Sequence, residues 1–415
     1  MEVLRHRPFR RLFTAQVVAL IGTGLLTVAL GLLAYDIAGS RAGAVLGTAL
    51  AIKMVAYVLV APVISALAEQ VPRRALLVSA DAVRAGVALL LPFVTQVWQI
   101  YALIFVLQAA SATFTPAFQA VIPAILSEER QYTRALSLSR LAYDLESLLS
   151  PVLAAALLAV MSYNLLFVGT AAGFAISAAL VVGTALPRPT PVTAARPLSD
   201  RITAGARIML ARPVLRALLA MNLTVAAATA LVVVNTVVYV RGSLHGTATA
   251  VAMSLGCYGF GSMAVALTTP RLLAVLGDRR LMLTGTRLLA IGLAAAIALG
   301  PLPAWPLLVG VWITLGAGTS MINTPSARLL RAESTPDDRT AVFTAQFSLS
   351  HAAFLLTYPI AGWTGPLVEL AYPDGGLFVT AVVLAAIATL AATATARLWP
   401  VSAPAGVEGT VSAGR

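Results

Sequence analysis

Charge is what this sequence has least of. Of its 415 residues only 11% are Asp, Glu, Lys or Arg, against 59% hydrophobic, and the mean hydropathy is +0.90. A soluble domain is about a quarter charged. A chain of this size could not clothe a water-facing surface with so few charges, so its solvent is lipid. That excludes a cytosolic enzyme, a secreted disulfide scaffold and a disordered protein. Cysteine is limited to Cys257, which excludes an intramolecular disulfide and any multi-cysteine metal site. The three histidines, His6, His245 and His351, are scattered and join no acidic cluster, so no dedicated metal site is expected. There is no G-x-x-x-x-G-K-[ST] loop, H-E-x-x-H helix or Ser/His/Asp constellation. An ATP-driven pump of the usual kind and an enzyme are therefore not expected, nor is a cofactor. The run Gly256-Cys257-Tyr258-Gly259-Phe260-Gly261 has glycine spacings that suggest nucleotide binding, but it lies within an apolar helix and follows no strand.

What is present is a series of long apolar runs. A bilayer core of about 30 Å takes roughly 20 apolar residues per helix. Twelve stretches qualify: 12–35, 44–66, 75–95, 98–121, 138–161 and 163–186, then 214–240, 247–269, 281–300, 303–324, 342–365 and 376–397. The first is too long for a cleaved signal peptide and is read as a membrane helix. Residues 187–212 are rich in proline and arginine, and 199–210 are expected to form a short surface helix. The fold expected is all-α and integral to the membrane, with twelve transmembrane helices in two six-helix halves. The divisions are a first half (1–186), a cytoplasmic linker (187–213), a second half (214–397) and a cytoplasmic tail (398–415).

The net charge of +12 does not call for nucleic acid, because its placement follows topology. With the N-terminus inside, 23 of the 28 basic residues fall on the inner side, only Arg41 and Arg241 lie in outer loops, and Lys53, Arg84 and Arg287 lie within helices. By the positive-inside rule both termini are cytoplasmic. The chain also repeats itself at an offset of 209: Thr115-Pro116-Ala117 matches Thr324-Pro325-Ser326, and Arg130, Gly47 and Glu69 match Arg339, Gly256 and Asp278. Pro151 and Pro359 match within one residue. A parallel duplication places a substrate path between the halves near the bilayer midplane.

Ionisable residues within membrane helices are costly and are functional candidates by default. Lys53 is the only lysine and lies 13 residues in from residue 66, ~20 Å deep at 1.5 Å per residue. It is either a cavity-facing cation or a snorkelling side chain packed along its stem. Asp81 and Arg84, three apart on one helix face, are expected to form a structural pair near the cytoplasmic end of helix 3. Asp144 and Glu146 point to different faces of helix 5. Either could carry a proton, although Arg140, one turn before Asp144, offers that residue a plain salt bridge. His351, about 10 residues into helix 11, could sense protons or be hydrogen-bonded packing. Gln108, Asn222, Asn235, Asn323 and Gln346 are further cavity candidates, some of which will only join helices by hydrogen bonds.

Loop 2–3 reads Ser65-Ala66-Leu67-Ala68-Glu69-Gln70-Val71-Pro72-Arg73-Arg74, and loop 8–9 carries Asp278-Arg279-Arg280. The first resembles the G-x-x-x-D-R-x-G-R-R motif of the major facilitator superfamily, with the acid exchanged for Glu69, the arginine pair kept, and both glycines and the first arginine lost. The run Phe114-Thr115-Pro116-Ala117-Phe118-Gln119-Ala120-Val121-Ile122-Pro123, then Glu128-Glu129 and Arg134-Ala135, is similar to the helix 4–5 signature of that family's drug and siderophore exporters. The helix 5 antiporter motif appears in degraded form, as Ser150-Pro151 and Ala154-Ala155. The resemblance implies that Glu69, Arg73 and Arg74, with Asp278, Arg279 and Arg280 as their weaker counterpart, form a cytoplasmic ion-pair latch; the plainer reading is a positive-inside anchor. It also implies that helices 2 and 11 flank each other, which would make Lys53 and His351 neighbours.

The function expected is a proton-coupled secondary exporter of small organic molecules, drug-like or siderophore-like, in a bacterial inner membrane. Its expected partners are a small-molecule substrate, protons and the lipid bilayer, with the protein a monomer. Lys53 among few central acids favours an anionic or zwitterionic substrate. The alternatives are an importer or facilitator of a small metabolite and, ranked lower, a metal-ion exporter or a non-transporting receptor.

Overall fold

The computed structural model describes residues 2–60, 72–126, 129–184, 186, 198–334, 339–372 and 375–399. Among these there is no β-strand. The first half holds α1 (Arg7–Ala38), α2 (Ala42–Val55), α3 (Arg73–Leu90), α4 (Val97–Ile125), α5 (Glu129–Leu158) and α6 (Asn164–Val182). A linker helix, α7 (Leu198–Ala211), covers the whole stretch 199–210 expected from sequence to be helical. The second half starts with α8 (Pro213–Val237). One hydrogen-bonded run follows, Ala248–Ile297, turned at Gly277 into two limbs, α9 (248–276) and α10 (278–297). The last three are α11 (Trp305–Ala332), α12 (Arg339–Glu369) and α13 (Gly376–Leu398). Apart from α7, these are the twelve membrane helices, six to each half.

Half of the helices, α1, α4, α5, α9, α11 and α12, are longer than the apolar runs, mostly at the arginine-rich face. Composition marks the hydrocarbon span, whereas backbone hydrogen bonding carries a helix on into water. Loop 8–9 departs most from expectation. Leu272, Leu273 and Ala274 are good helix formers, and the chain stays helical until a single corner at Gly277 (φ 69°, ψ 166°), a conformation open essentially to glycine alone. Two short π-helical turns, Ala56–Val60 and Val238–Ser243, extend α2 and α8. Such insertions rotate the following side chains relative to the helix before them.

The two halves meet along two seams that involve the repeated residues noted in the sequence. On α2, Gly43 and Gly47 form a G-x-x-x-G face that lies against Gly362 of α12. A Cβ on Gly47 would sit 2.5 Å from the Tyr358 carbonyl oxygen and 2.9 Å from Gly362 Cα, so backbone touches backbone. At the counterpart seam Gly256 of α9 lies against Pro151 and Val152 of α5. A hydrogen bond reinforces the first seam, Trp363 Nε1 donating to Thr48 Oγ1 at 2.8 Å, while within the second half Asn235 Nδ2 donates to the Ala361 carbonyl at 3.1 Å. Close by, the Arg241 guanidinium lies 5.5 Å from the Tyr35 ring centre, joining the ends of α1 and α8. All these contacts lie toward the arginine-poor face, which is packed shut along them.

Within each half several polar groups are satisfied across helices, as a lipid solvent favours. Thr170 Oγ1 on α6 donates to the Gly22 carbonyl of α1 at 2.8 Å, and Thr357 Oγ1 on α12 to the Ala226 carbonyl of α8 at 3.1 Å. Trp312, fully buried on α11, donates its indole N–H to Thr236 Oγ1 at 2.8 Å and packs edge-on to Tyr239. The outward face is apolar instead: Phe93, Trp98, Val160 and Leu370 stand exposed near the arginine-poor face, where aromatic side chains suit a membrane interface.

Candidate functional site

A small cavity lies at mid-depth just below the packed seam. Its wall takes Thr23 and Thr27 from α1, Lys53 and Leu50 from α2, Ile104 and Gln108 from α4, and Val233 from α8 of the other half. Lys53 and Gln108, both singled out from sequence, therefore share one wall. Gln108 reaches it because α4 runs parallel to α2 and each residue lies 11 positions from the outer start of its helix.

Among the described residues Lys53 makes no direct ion pair or hydrogen bond. Its ammonium lies 5.9 Å from the ring centre of Tyr57, one turn on along α2. Tyr57 bridges the halves: its ring centre is 5.5 Å from that of His351 and 6.4 Å from that of Phe347. His351 Nδ1 lies 2.7 Å from the Phe347 carbonyl oxygen. A carbonyl only accepts, so Nδ1 carries the proton, and in the neutral ring Nε2 is left as an acceptor. Phe347, Phe354 and Tyr358 continue this aromatic face along α12.

Glu146 lies close to Gly24 of α1, where a Cβ would come 2.9 Å from its Oε1. Ser150, one turn on, is fully buried with no partner for its hydroxyl among the described residues. Both Ser150 and Glu146 therefore press on the same point of α1 at Gly24.

Other candidates fall elsewhere. Asp81 and Arg84 form a buried ion pair, and Ser177 Oγ of α6 donates to Asp81 Oδ2 at 2.7 Å. The guanidinium is sandwiched 4.3 Å and 4.4 Å from the ring centres of Phe114 and Phe174, so the pair joins α3 to α4 and α6 and does not reach the cavity wall. Asn235 belongs to the seam between α8, α12 and α2, where its oxygen lies 3.2 Å from the place a Gly43 Cβ would take. Asn222 is buried on α8 with its Nδ2 unpartnered among the described residues, and Gln346 on α12 has an unpartnered Oε1. Asn323 is half-buried on α11.

Asp278 pairs with Arg328 of α11 at 3.1 Å, a partner in its own half. Arg279 donates to the Trp399 carbonyl at 3.2 Å beyond the end of α13, while Arg280 is exposed. Arg73 is half-buried and Arg74 exposed at the start of α3. Glu69 lies outside the described residues, as do the side chains of Asp144 and Arg140. No group of three His, Cys, Asp or Glu suited to a metal occurs among the described residues. Tyr57 was missed by sequence reading; its position four residues after Lys53, on the same helix face, was the available signal.

Paired halves, with mid-depth charge between them, are the architecture of one transporter class. Residues 12–239 match the family model described as the Major Facilitator Superfamily. The chain belongs to that superfamily. Its likeness to solved superfamily folds runs nearly end to end. The nucleoside transporter NupG superposes with a TM-score of 0.72 at 13% identity, covering 94% of this chain and 98% of that one. A bacterial homologue of the human lysosomal transporter Spinster, inward-facing and unoccupied, gives 0.70 at 14%, covering 96% and 99%. A POT family transporter in complex with a thioalcohol-conjugated peptide gives 0.71 at 10%, covering 94% and 96%. In sequence, the macrolide efflux protein A of Streptococcus pyogenes is 26% identical over 185 residues, 43% of this chain. That match spans 45% of the relative's length. As a member of the Major Facilitator Superfamily this chain is a multi-pass membrane transporter of a small molecule and not an enzyme.

Proposed function

We propose that this protein is a proton-coupled exporter of small organic molecules, acting as a monomer in a bacterial plasma membrane with both termini in the cytoplasm. The observation that carries the reading is Lys53 on a cavity wall shared with Val233 of the opposite half, with Tyr57, one turn on, packed against His351 of that half. Groups that can take and release a proton, set between two bodies that move against each other, are what coupling needs. Rocking of the halves, 1–186 against 214–397, would part the glycine seams at the arginine-poor face and expose the same cavity to the other side. Asp278 with Arg328, and the Glu69–Arg74 segment at the matching position, would brace the cytoplasmic ends. The kinship with a macrolide efflux protein favours the outward direction.

The test is transport by inverted membrane vesicles with a pH-sensitive dye inside and a panel of cationic, neutral and anionic compounds. Proton release from the vesicles on addition of substrate, lost in Lys53→Ala and in Glu146→Gln, is the expected result. Substrate movement with no proton movement would replace the exporter with a facilitator. Substrate and protons leaving the vesicles together would replace it with an importer.

A further inference from the structure

The inner face of α12 is a strip of rings. At about 100° per residue, Phe347, His351, Phe354 and Tyr358 fall within a sector about 60° wide, and successive ring centres lie 4.1, 6.5 and 5.3 Å apart. Leu356, which is exposed, lies about 180° from Phe347 on the same wheel, so the strip turns away from lipid. Across the join between the halves stands Tyr57 of α2, its ring centre 6.4 Å from that of Phe347 and 5.5 Å from that of His351. The strip is not closed packing. Tyr358, at its outer end, is 8% exposed with its carbonyl against Gly47, whereas Phe347, about 12 Å in from the start of α12, is 46% exposed. His351 adds an acceptor, Nε2, which has no hydrogen-bond partner among the described residues.

We infer that this strip selects the cargo, and that the cargo is a flat, uncharged aromatic ring system bearing an N–H or O–H donor. The inference rests on reading the protein as an exporter of small organic molecules. A flat ring stacks on Phe347 and Tyr57 in the offset or edge-on arrangements that aromatic pairs prefer, and its donor meets His351 Nε2. Charge is disfavoured here, because the strip carries no acid, lysine or arginine and an ion left unpaired away from water is costly. A cation also meets Lys53, 5.9 Å from the Tyr57 ring centre, and Arg84 of α3, which faces Tyr57 while paired with Asp81. Lys53 read alone favours an anion; the rings beside it select for flatness. When the seam at Gly47 and Gly362 parts, Tyr358 becomes the outer end of the same strip. A ring held by stacking is then reachable from the other side.

The experiment uses the purified full-length protein and tritiated 2-naphthol near neutral pH, read by scintillation proximity, with unlabelled relatives as competitors. 2-Naphthol is flat, uncharged and a donor. Decahydro-2-naphthol keeps the donor without the flatness, and 2-methoxynaphthalene the flatness without the donor. Naphthoate and naphthylmethyl-trimethylammonium are flat with a charge of either sign. The wild type binds 2-naphthol tightest of the five. Phe347→Leu and Tyr57→Leu, in proteins with wild-type melting, each weaken it about 2- to 12-fold, the worth of an aromatic pair. His351→Phe keeps a ring and abolishes the advantage of 2-naphthol over 2-methoxynaphthalene, a change that lost packing alone would not produce. Leu356→Ala, on the opposite face, leaves binding as it was. Preference for either ion, equal binding of decahydro-2-naphthol, or an advantage that survives His351→Phe each overturns the inference. So does failure of the folded wild type to bind 2-naphthol. If it fails while a compound of another class drives proton release from vesicles, the strip falls and the exporter stands. If it binds in this order, yet vesicles with the protein accumulate no more of it than empty ones and release no protons, the exporter falls and the strip stands.

Discussion

Gly47→Ala should open the arginine-poor face. The added methyl would meet the Tyr358 carbonyl oxygen at 2.5 Å and Gly362 Cα at 2.9 Å, both backbone atoms that no side-chain rotation can move aside. Non-bonded atoms settle near 3.5 Å, so α2 and α12 must separate by on the order of 1 Å. Overpacking of this kind costs about 1–3 kcal/mol. That cost falls on the packed state alone, because the seam has parted in the alternative state. The ratio of packed to parted protein should therefore drop about 5- to 150-fold. The assay labels a single cysteine, Thr27→Cys on the cavity wall in a Cys257→Ser background, with a membrane-impermeant maleimide applied from outside intact cells. Labelling should accelerate by that factor. Gly310→Ala is the control, since its Cβ would meet nothing within 4 Å. If Gly47→Ala labels no faster than Gly310→Ala, the seam does not hold this face closed and the reasoning fails.

Asp81→Asn should lower the melting temperature sharply without changing which compounds are moved. It removes the charged Asp81 partner of the buried Arg84, at a cost of about 3–5 kcal/mol, and joint replacement by Leu and Met should recover part of the loss. Gly277→Ala should destabilise by about 1–3 kcal/mol although its methyl has open room, because the penalty lies wholly in the backbone conformation. A thermal scan that finds it neutral would contradict the corner between α9 and α10. Asn235→Leu should speed maleimide labelling as Gly47→Ala does, since it strips the Ala361 carbonyl of its donor and crowds Gly43. Transport with unaltered labelling would place Asn235 outside the seam's energetics.

The sequence by itself determined what depends on composition and on position along one dimension. Apolar runs of bilayer length fix the number of helices, arginine placement suggests their orientation, and the offset of 209 exposes the duplication. It also picked Lys53 and Gln108, because a lone charge or amide amid apolar residues is conspicuous without any structure. What it could not supply is the rotation of each helix about its axis and the identity of its neighbour. Asn235 and Gln108 look alike in sequence, yet one seals a seam and the other lines the cavity, because Gly43, Gly47 and Gly362 let α2 and α12 approach to backbone contact and so set which faces turn inward. Asp278 likewise found Arg328 through the corner at Gly277. The cavity wall that holds Lys53 comes from four helices, α1, α2, α4 and α8, and only packing sets Tyr57, one turn on, against His351 of the other half.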